Sequence, residues 1–389
     1  MRIFLSCLQA LKKHKVPAYS FWENYLKQGI EEAGHEWIEA LEVDWAEGLV
    51  YSPGKELESW REHTWNSTVS QIKKLHQEKP IDLFLSYLFP NQVEPSAVSD
   101  IQSLGIPCVN FFCDNVREFT SVPKSYYCFD LHWVPEHKAL PMYKQAGLNF
   151  FNAAMPVWVP PHQRIYEHPE NYGVSFIGSH DVLREALLAE ALKLGASLEI
   201  RGPGWNSTDN KGKDISPVVN NRNLWKIIAN QLNIVAKQGL PTLVWKTTYK
   251  LQPRVADEVF TKFVREAVFG VKYQEVTQQS LITLGVNRYP SFHHPVSKPD
   301  TYSRLRDIEA PMMGACYLTE WTEGLDQLYE LGKEIETYRN SSEMVEKIQQ
   351  LQASPEKRRN MRYLAQKRAL TEHSIVKSLE KISVILGLN

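Results

Sequence analysis

The chain has 389 residues, 43% of them hydrophobic and 23% charged, and this length exceeds what one hydrophobic core normally serves. Its 44 Lys and Arg residues nearly balance its 45 Asp and Glu residues, so the net charge of -1 argues against recruitment by nucleic acid or an anionic membrane. No apolar stretch is long enough for a signal peptide or a spanning helix, so we expect a cytoplasmic protein. We therefore expect two domains and a small-molecule ligand.

The first half of the sequence alternates between predicted strands and predicted helices. Apolar residues at helical spacing over 21–30 predict a helix that ends at Gly34. Strand-like runs lie at residues 3–8, 35–41, 81–87, 107–113 and 131–134. Because these runs are apolar with little alternation, they are typical of parallel strands that helices cover on both faces. The sequence therefore predicts a parallel α/β sheet.

Ligands of open parallel sheets bind beyond the carboxyl ends of the strands, so the residues that follow each run are candidate site residues. Asp114 follows the run 107–113, where an acid can act as a general base toward an acceptor hydroxyl. Alternatively, Asp114 caps the next helix. His14, on the loop after the first strand, is a second candidate base, and the alternative for it is a solvated loop residue.

The second half repeats the alternation after a linker at Pro160 and Pro161. A strand at 174–177 enters the turn Gly178-Ser179, and a helix follows over 182–191 with Arg184 in its first turns. A helix N-terminus after a glycine turn presents free amides to an anion. The next strand, 198–201, ends in the turn that contains Gly202 and Trp205, for which core packing of the indole is the alternative.

Residues 206–269 are predicted to form a helical insertion. Apolar spacing predicts a helix within 224–235 and an amphipathic helix over 255–268, with basic residues between them. This segment suits a lid, an acceptor-binding element or a partner surface, and its mixed charge opposes a nucleic-acid site. Farther on, His293-His294 does not suggest a metal site, because adjacent histidines in an extended loop point to opposite sides.

The most informative stretch is 303–320. Apolar residues at steps of three and four predict a helix that Gly314 ends, and a buried strand follows over 315–318. Arg306 and Glu309 lie three residues apart, so both side chains project from one side of this helix. A guanidinium suits a phosphate, and a carboxylate suits vicinal hydroxyls, so the pair suits a nucleotide diphosphate and its ribose. The alternative is an exposed ion pair on a surface helix.

Helix starts follow at Asn340, with Glu343 three residues later, and at Pro355, the first position of a helix that runs to His373. This order of Arg-x-x-Glu, small-residue turn, strand, Gly-Lys-Glu-Ile and two helices resembles the C-terminal half of the CgeB-like (spore-maturation type) glycosyltransferases, which have the GT-B fold. The resemblance is clear over about 273–373.

The resemblance extends to individual positions. The turns at Gly178-Ser179 with Arg184, and at Gly202 with Trp205, are similar to donor-binding segments of the family. Tyr273 lies where the family has its tyrosine-bearing helix, and Asn287 where a family strand ends in asparagine. Asp114, after Gly105-Ile-Pro107 and an apolar strand, matches an acid of the family. The segment of some sixty residues from Asn206 to Phe269 has no counterpart in the usual members.

The resemblance implies a GT-B fold with two facing Rossmann-like domains. An acceptor-binding domain would comprise 1–160 with a final helix at 374–389, and a nucleotide-sugar-binding domain would comprise 170–373 with the insertion at 206–269. The implied activity is metal-independent transfer from a nucleotide diphosphate sugar, with UDP or GDP expected, to an unknown saccharide, lipid-linked or protein acceptor. No cofactor is expected. Gly178, Ser179, Arg184 and Arg306 would hold the diphosphate, and Glu309 the ribose.

Two questions stay open at this stage. Related retaining enzymes carry a second glutamate eight residues before the ribose-binding one, but Thr301 occupies that position here, so the stereochemistry does not carry over. If the reaction inverts, Asp114 would be the base. The competing functions are a nucleotide-sugar epimerase of the same architecture and a non-catalytic nucleotide- or sugar-binding protein.

Overall fold

The structure is a computed structural model that describes residues 1–14, 19–205, 257–290 and 299–388. The chain divides into two compact units. The first unit contains Met1–Pro160, Ser303–Glu309 and Arg368–Asn389. The second unit contains Pro161–Tyr302 and Ala310–Lys367. The segment Ser303–Glu309 therefore packs with the N-terminal residues, although it lies within the predicted range 170–373.

The first unit is a parallel six-stranded sheet with the order β2-β1-β3-β4-β5-β6. Its strands are β1 (Arg2–Cys7), β2 (Glu36–Ile38), β3 (Leu83–Tyr87), β4 (Cys108–Phe111), β5 (Leu131–Trp133) and β6 (Phe150–Phe151). The helices between them are α1 (Tyr19–Glu32), α2 (Lys55–Glu78), α3 (Pro95–Gln102), α4 (Asn115–Glu118) and α5 (Leu140–Gln145). The predicted strands are confirmed, and the two-residue β6 is an addition too short to give a sequence signal.

The second unit is also a parallel six-stranded sheet, with the order β12-β11-β10-β7-β8-β9. Its strands are β7 (Tyr172–Ile177), β8 (Leu198–Arg201), β9 (Val264–Arg265), β10 (Ser280–Gly285), β11 (Tyr317–Glu320) and β12 (Glu336–Tyr338). The helices in and after this range are α6 (Val182–Lys193), α7 (Asp257–Thr261), α8 (Gly270–Gln279), α9 (Arg306–Met312), α10 (Leu325–Leu328), α11 (Ser341–Ala353), α12 (Pro355–Glu372) and α13 (Ile375–Leu386).

The amphipathic helix predicted over 255–268 is wrong in its length. The helix α7 ends at Thr261, and Val264–Arg265 pairs with β8 as an edge strand. The reason is that Phe260 is buried in the core of the second unit, while Val264 gains a parallel strand partner that sequence periodicity does not reveal. The helix predicted within 224–235 and His293-His294 lie outside the described residues.

The predicted helix starts near the C-terminus are confirmed. Asn340 caps α11 by accepting a hydrogen bond from the Glu343 amide at 2.9 Å, and α12 begins at Pro355. The last helix, α13, packs against α1 inside the first unit, where a Cβ at Gly29 would lie 2.5 Å from the Ile375 side chain. Within the described part of the chain, no helix is both long and apolar enough to cross a membrane.

Candidate functional site

The order of strands in the second unit points to one edge of its sheet. β7 comes first in the chain, β8 extends the sheet on one side of it, and β10 extends the sheet on the other side. The loops that leave β7 and β10 therefore diverge at the carboxyl ends of the strands, and such a switch point is where open parallel sheets bind ligands. The segments at this point are 178–180 after β7 and 287–288 after β10.

The turns after β7 and β8 pack directly against each other. The Gly178 amide donates to the Arg201 carbonyl at 2.8 Å, and the Trp205 indole N–H donates to the Gly178 carbonyl at 2.8 Å. Gly202 has a φ of +147°, and a Cβ there would lie 2.2 Å from the Gly178 carbonyl oxygen. Only glycine allows this approach of two backbones. The structure thus brings together Gly178, Gly202 and Trp205, which the sequence had singled out.

The N-terminus of α6 differs from the expectation of free amides. The Asp181 side chain accepts hydrogen bonds from the Leu183 amide at 2.9 Å and the Arg184 amide at 3.1 Å. An internal carboxylate therefore already occupies the end of the helix dipole that we expected to face an anion. Those amides are not open, so any phosphate in this turn must be held by other groups.

Arg184 holds the turn that follows β7. Its guanidinium donates to the Ser179 carbonyl at 2.8 Å and lies 3.1 Å from the Ser179 hydroxyl. The residue is only 9% exposed, and its Nε lies 3.1 Å from Asp181. Arg184 thus shapes the turn as a buried, paired cation. A positive charge at this place also favours an anion bound over the turn.

The loop after β10 is clamped by Glu320, the last residue of β11. The Glu320 carboxylate accepts from the amides of Asn287 and Arg288, each at 3.1 Å, and the Asn287 side chain donates to the Glu320 carbonyl at 2.9 Å. Arg288 also pairs with Glu320 through its guanidinium at 2.5 Å. Asn287 is 1% exposed. The buried Arg288–Glu320 pair therefore holds the loop after β10 in place beside the switch point.

Tyr273 and Gly314 lie at different places in the second unit. Tyr273, on α8, packs against the buried cluster of Ile177, Val268 and Val276, in which Ile177 is the last residue of β7. Gly314 precedes β11, and its carbonyl accepts from Arg362, which also binds the carbonyl of Ser280 at the start of β10. Gly314 is thus at the amino edge, away from the turns at Gly178 and Gly202. Its backbone lets α9 end close to residues 165–166.

In the first unit, Asp114 follows β4 and makes no side-chain cap on α4. The carboxylate that accepts from the first amides of α4 belongs to Glu136, which lies 2.5 Å from the Asn115 amide and is 2% exposed. Burial raises the pKa of Asp114, and the nearby guanidinium groups of Arg117 and Arg304 lower it by less. The capping alternative for Asp114 is therefore wrong, and its carboxyl is left for another role.

His14 is not a solvated loop residue. Its side chain is 4% exposed, and its Nε2 lies 2.9 Å from both carboxylate oxygens of Asp44. Asp44 also accepts from the amides of Leu11 and Glu47. The carboxylate therefore fixes the imidazole with its Nε2 hydrogen directed at Asp44. Such a pair keeps one tautomer, which is a feature of general-base histidines.

Arg306 and Glu309 begin α9 in the first unit. Glu309 is 7% exposed, and its Oε1 accepts a hydrogen bond from the Tyr25 hydroxyl at 2.6 Å, whereas Arg306 is half-buried. An exposed surface pair is therefore the wrong description of these residues. The ribose and phosphate roles stay predictions.

Over the described ranges, 1–14, 19–205, 257–290 and 299–388, no group of three or more His, Cys, Asp and Glu side chains is arranged to hold a metal ion. All five cysteines are unpaired thiols, and four of them are buried, as the sequence predicts for core residues. Burial raises the pKa of Cys128, the half-buried one, to about 12. None of the thiols therefore has the lowered pKa of a reactive cysteine.

The sequence and the fold were compared with known proteins. A family model described as glycosyl transferase-like matches residues 244–383, which is less than half of the chain. Among curated proteins, none matches the sequence. Sucrose-phosphate synthase from Thermosynechococcus elongatus superposes with a TM-score of 0.56 at 10% identity, over 99% of each chain.

Two further solved structures are similar over nearly the whole length. Anabaena HepE in complex with UDP has a TM-score of 0.54 at 10% identity, over 99% of each chain. AviGT4, a glycosyltransferase involved in avilamycin A biosynthesis, has a TM-score of 0.53 at 13% identity, over 99% of this chain and 97% of that one. These likenesses confirm the predicted GT-B fold. At such low identities, structural similarity shows the fold alone and not the activity.

Sequence reasoning missed several residues that hold the candidate site residues of each unit in place. Asp181 carried the signal of a helix cap, since it directly precedes an apolar helical run. Glu320, Glu136 and Asp44 carried no such signal, because each binds a segment 20 to 33 residues away in the chain. Contacts of this kind depend on which strands become neighbours, and periodicity within one segment does not report that.

Proposed function

We propose that this GT-B chain is a glycosyltransferase that moves a sugar from a nucleotide diphosphate sugar to an acceptor hydroxyl, and that it is of the CgeB-like type. The observation that carries the proposal is the switch point of the second unit, where two glycine turns and two paired arginines surround the carboxyl ends of β7, β8 and β10. The similarity to HepE, which has been solved with UDP and with UDP-glucose, supports this type of ligand.

The chemistry needs a place for negative charge to accumulate. When the bond between the anomeric carbon and the phosphate oxygen breaks, the electron pair stays on the diphosphate. In this proposal the Ser179 turn, held by Arg184, contacts that diphosphate. For Arg306, which begins α9, the proposal keeps the diphosphate role that the resemblance implies. Glu309 binds the ribose hydroxyls. Fixed donors of this kind stabilise the leaving group more in the transition state than in the ground state.

The acceptor must also lose a proton as its oxygen bonds to the anomeric carbon. Asp114 is the proposed base for an inverting reaction, because its carboxyl lies beyond a strand end, does not cap α4 and has a raised pKa. His14, held by Asp44, is the second candidate. The proposed acceptor is a saccharide, a lipid-linked group or a protein.

A thermal-shift screen tests the proposal directly. The panel contains UDP, GDP, ADP, CMP and dTDP conjugates of sugars, with the matching nucleosides as controls. A nucleotide sugar at a hundredfold its dissociation constant adds about 2.7 kcal/mol to the free energy of unfolding, which gives a clear rise in Tm. We expect a UDP or GDP sugar to give the largest shift.

The hit is then incubated with and without acceptor extracts. Release of nucleotide diphosphate that depends on acceptor supports transfer. Conversion of the donor sugar to an isomer with no acceptor present would identify an epimerase, and binding without turnover under any condition would identify a binding protein.

A further inference from the structure

His180 stands at the switch point of the second unit without belonging to its core. It follows Ser179 at the end of β7, its amide donates to the Pro203 carbonyl at 2.9 Å, and its ring meets the Trp205 ring edge-on with centroids 4.9 Å apart. Its side chain is 34% exposed. The turn after β8 therefore fixes the backbone and ring of His180 and leaves part of the imidazole accessible.

Glu185 determines which ring nitrogen of His180 carries a hydrogen. The His180 Nε2 lies 2.7 Å from a carboxylate oxygen of Glu185, and the Glu185 side chain is 13% exposed. A carboxylate only accepts hydrogen bonds, so Nε2 is the protonated nitrogen in the neutral ring. Nδ1 then has a lone pair in the neutral ring and an N–H donor in the imidazolium. A phosphate oxygen only accepts hydrogen bonds, so it can bind the imidazolium Nδ1–H but not the neutral ring's Nδ1.

Among the residues that the structure describes, three charged side chains near His180, those of Asp181, Arg184 and Arg288, have charged partners. On α6, Asp181 binds the Arg184 guanidinium and the helix amides. From the loop after β10, Arg288 is paired with Glu320. The turn after β8 has the sequence Gly-Pro-Gly-Trp over 202–205 and contributes no titratable side chain. Of the side chain types named here, imidazole is the one that can switch between a neutral and a charged donor in the physiological range, so His180 is the side chain to test against a ligand anion.

We propose that His180, oriented by Glu185, is a protonation-dependent ligand of the donor diphosphate. This inference rests on the proposed function. When the anomeric carbon–oxygen bond breaks, the electron pair stays on the phosphate oxygen, and the imidazolium Nδ1–H hydrogen-bonds to that oxygen without giving up its proton. The acceptor oxygen bonds to the anomeric carbon, and the acceptor's proton goes to the base. His180 thus stabilises the departing diphosphate and is not the general acid.

The test measures the affinity of UDP-glucose and GDP-glucose by calorimetry from about pH 5.5 to about pH 8.5, a range that spans the ordinary imidazole pKa of about 6.5. The diphosphates of these two probes are diesters and do not titrate in this range. We expect the affinity of the full-length protein to rise about tenfold as the pH falls, because the imidazolium gains a charge-assisted hydrogen bond. Uridine and guanosine serve as phosphate-free probes and should show no such trend.

Two variants and one control separate this role from packing. His180→Gln should lose the pH dependence and bind at the weak, high-pH level throughout. Glu185→Gln keeps the imidazole but removes the carboxylate that orients it, so the rise in affinity should become smaller. His162→Gln, at an exposed histidine of the same unit, should behave as the wild type.

The outcomes distinguish two failures. Tight binding of a nucleotide sugar with a flat pH profile, or an unchanged profile in His180→Gln, would overturn the role of His180 and leave the glycosyltransferase proposal standing. If the wild type binds neither of these two probes and no nucleotide sugar of the thermal-shift panel at any pH, both the inference and its premise fail.

Discussion

At the scale of single residues, Asp114 is the sharpest test of the mechanism. Asp114→Asn keeps the size of the side chain but removes the ability to accept a proton, so transfer should fall by about 10²–10⁴-fold while donor affinity stays unchanged. Activity of the wild type should also fall with decreasing pH at a higher pH than an ordinary aspartate would give, since burial raises the pKa of Asp114. Steady-state rates and donor titrations across pH measure both effects.

Asp114→Asn, which should lower activity, should not lower the stability of the fold. A raised pKa in the folded state means that the Asp114 charge costs stability above the unfolded-state pKa, and asparagine avoids that cost. The Tm of Asp114→Asn at neutral pH should therefore equal or exceed that of the wild type. Asp100→Asn, at an exposed aspartate of the same unit, is the control for both readouts. If Asp114→Asn transfers sugar at nearly the wild-type rate, Asp114 is not the base, and His14 becomes the residue to test.

Glu309 allows a second test at this scale. Glu309→Ala should weaken nucleotide-sugar binding by about tenfold or more, because hydrogen bonds from ribose hydroxyls to a charged acceptor are lost. Tyr25→Phe removes the hydrogen bond that Glu309 accepts at 2.6 Å but keeps the carboxylate. If Glu309 only anchors Tyr25, both variants will lose similar stability and keep full affinity. Calorimetric titration with thermal unfolding separates the two cases.

At the scale of elements, the paired turns after β7 and β8 depend on Gly202. Gly202→Ala should lower the free energy of unfolding by about 3 kcal/mol, because the new Cβ meets the Gly178 carbonyl oxygen and the residue has a positive φ. Gly195→Ala is the matched control, since Gly195 has a φ of +94° with no atom near its would-be Cβ. Gly195→Ala should lower the free energy of unfolding by about 1–2 kcal/mol, which is the cost of a positive φ without a steric clash. Urea unfolding compares the two, and equal losses would mean that the turns readily separate.

Nucleotide binding gives the same pair of variants a second readout. Gly202→Ala should also weaken the donor affinity, because the Ser179 turn loses its support, whereas Gly195→Ala should not.

The elements also show how far the sequence alone can reach. Strands such as β3 and β7 and the starts of helices α11 and α12 were predictable, because their signals lie within one segment: apolar runs, Asn340 before Glu343, and Pro355. The edge strand β9 was not predictable, since Val264–Arg265 is extended only because β8 lies beside it.

The candidate site residues show the same division between local signals and contacts that depend on distant segments. The turns at Gly178 and Gly202 were predictable from strand–glycine patterns, and the cap that Asp181 places on the α6 amides had a local signal in the apolar helical run that follows it. The capping of α4 by Glu136 was not predictable, because Glu136 lies 21 residues from Asn115 in the chain and reaches it only in the folded unit.

At the scale of the whole molecule, the final helix should stabilise the first unit. Leu379→Ala removes a fully buried side chain of α13 and should cost about 2–5 kcal/mol. Hydrogen exchange should then accelerate in α1, against which α13 packs, and not in β7 of the second unit. Val384→Ala, at a side chain that is 82% exposed, should leave exchange unchanged. Uniform acceleration in both units would show that they unfold as one.

The chain passes between its two units at 160–161, 302–303, 309–310 and 367–368, and this path governs how the protein can be made. On the ribosome, β1 to β6 emerge first, but the segments Ser303–Glu309 and Arg368–Asn389 that complete their unit come last. At about 5–20 residues per second, the nascent first unit waits roughly 10–50 seconds for them. During that interval the face of α1 that will receive Ile375 is uncovered, so we expect chaperones to bind the N-terminal residues and the second unit to finish folding before the first.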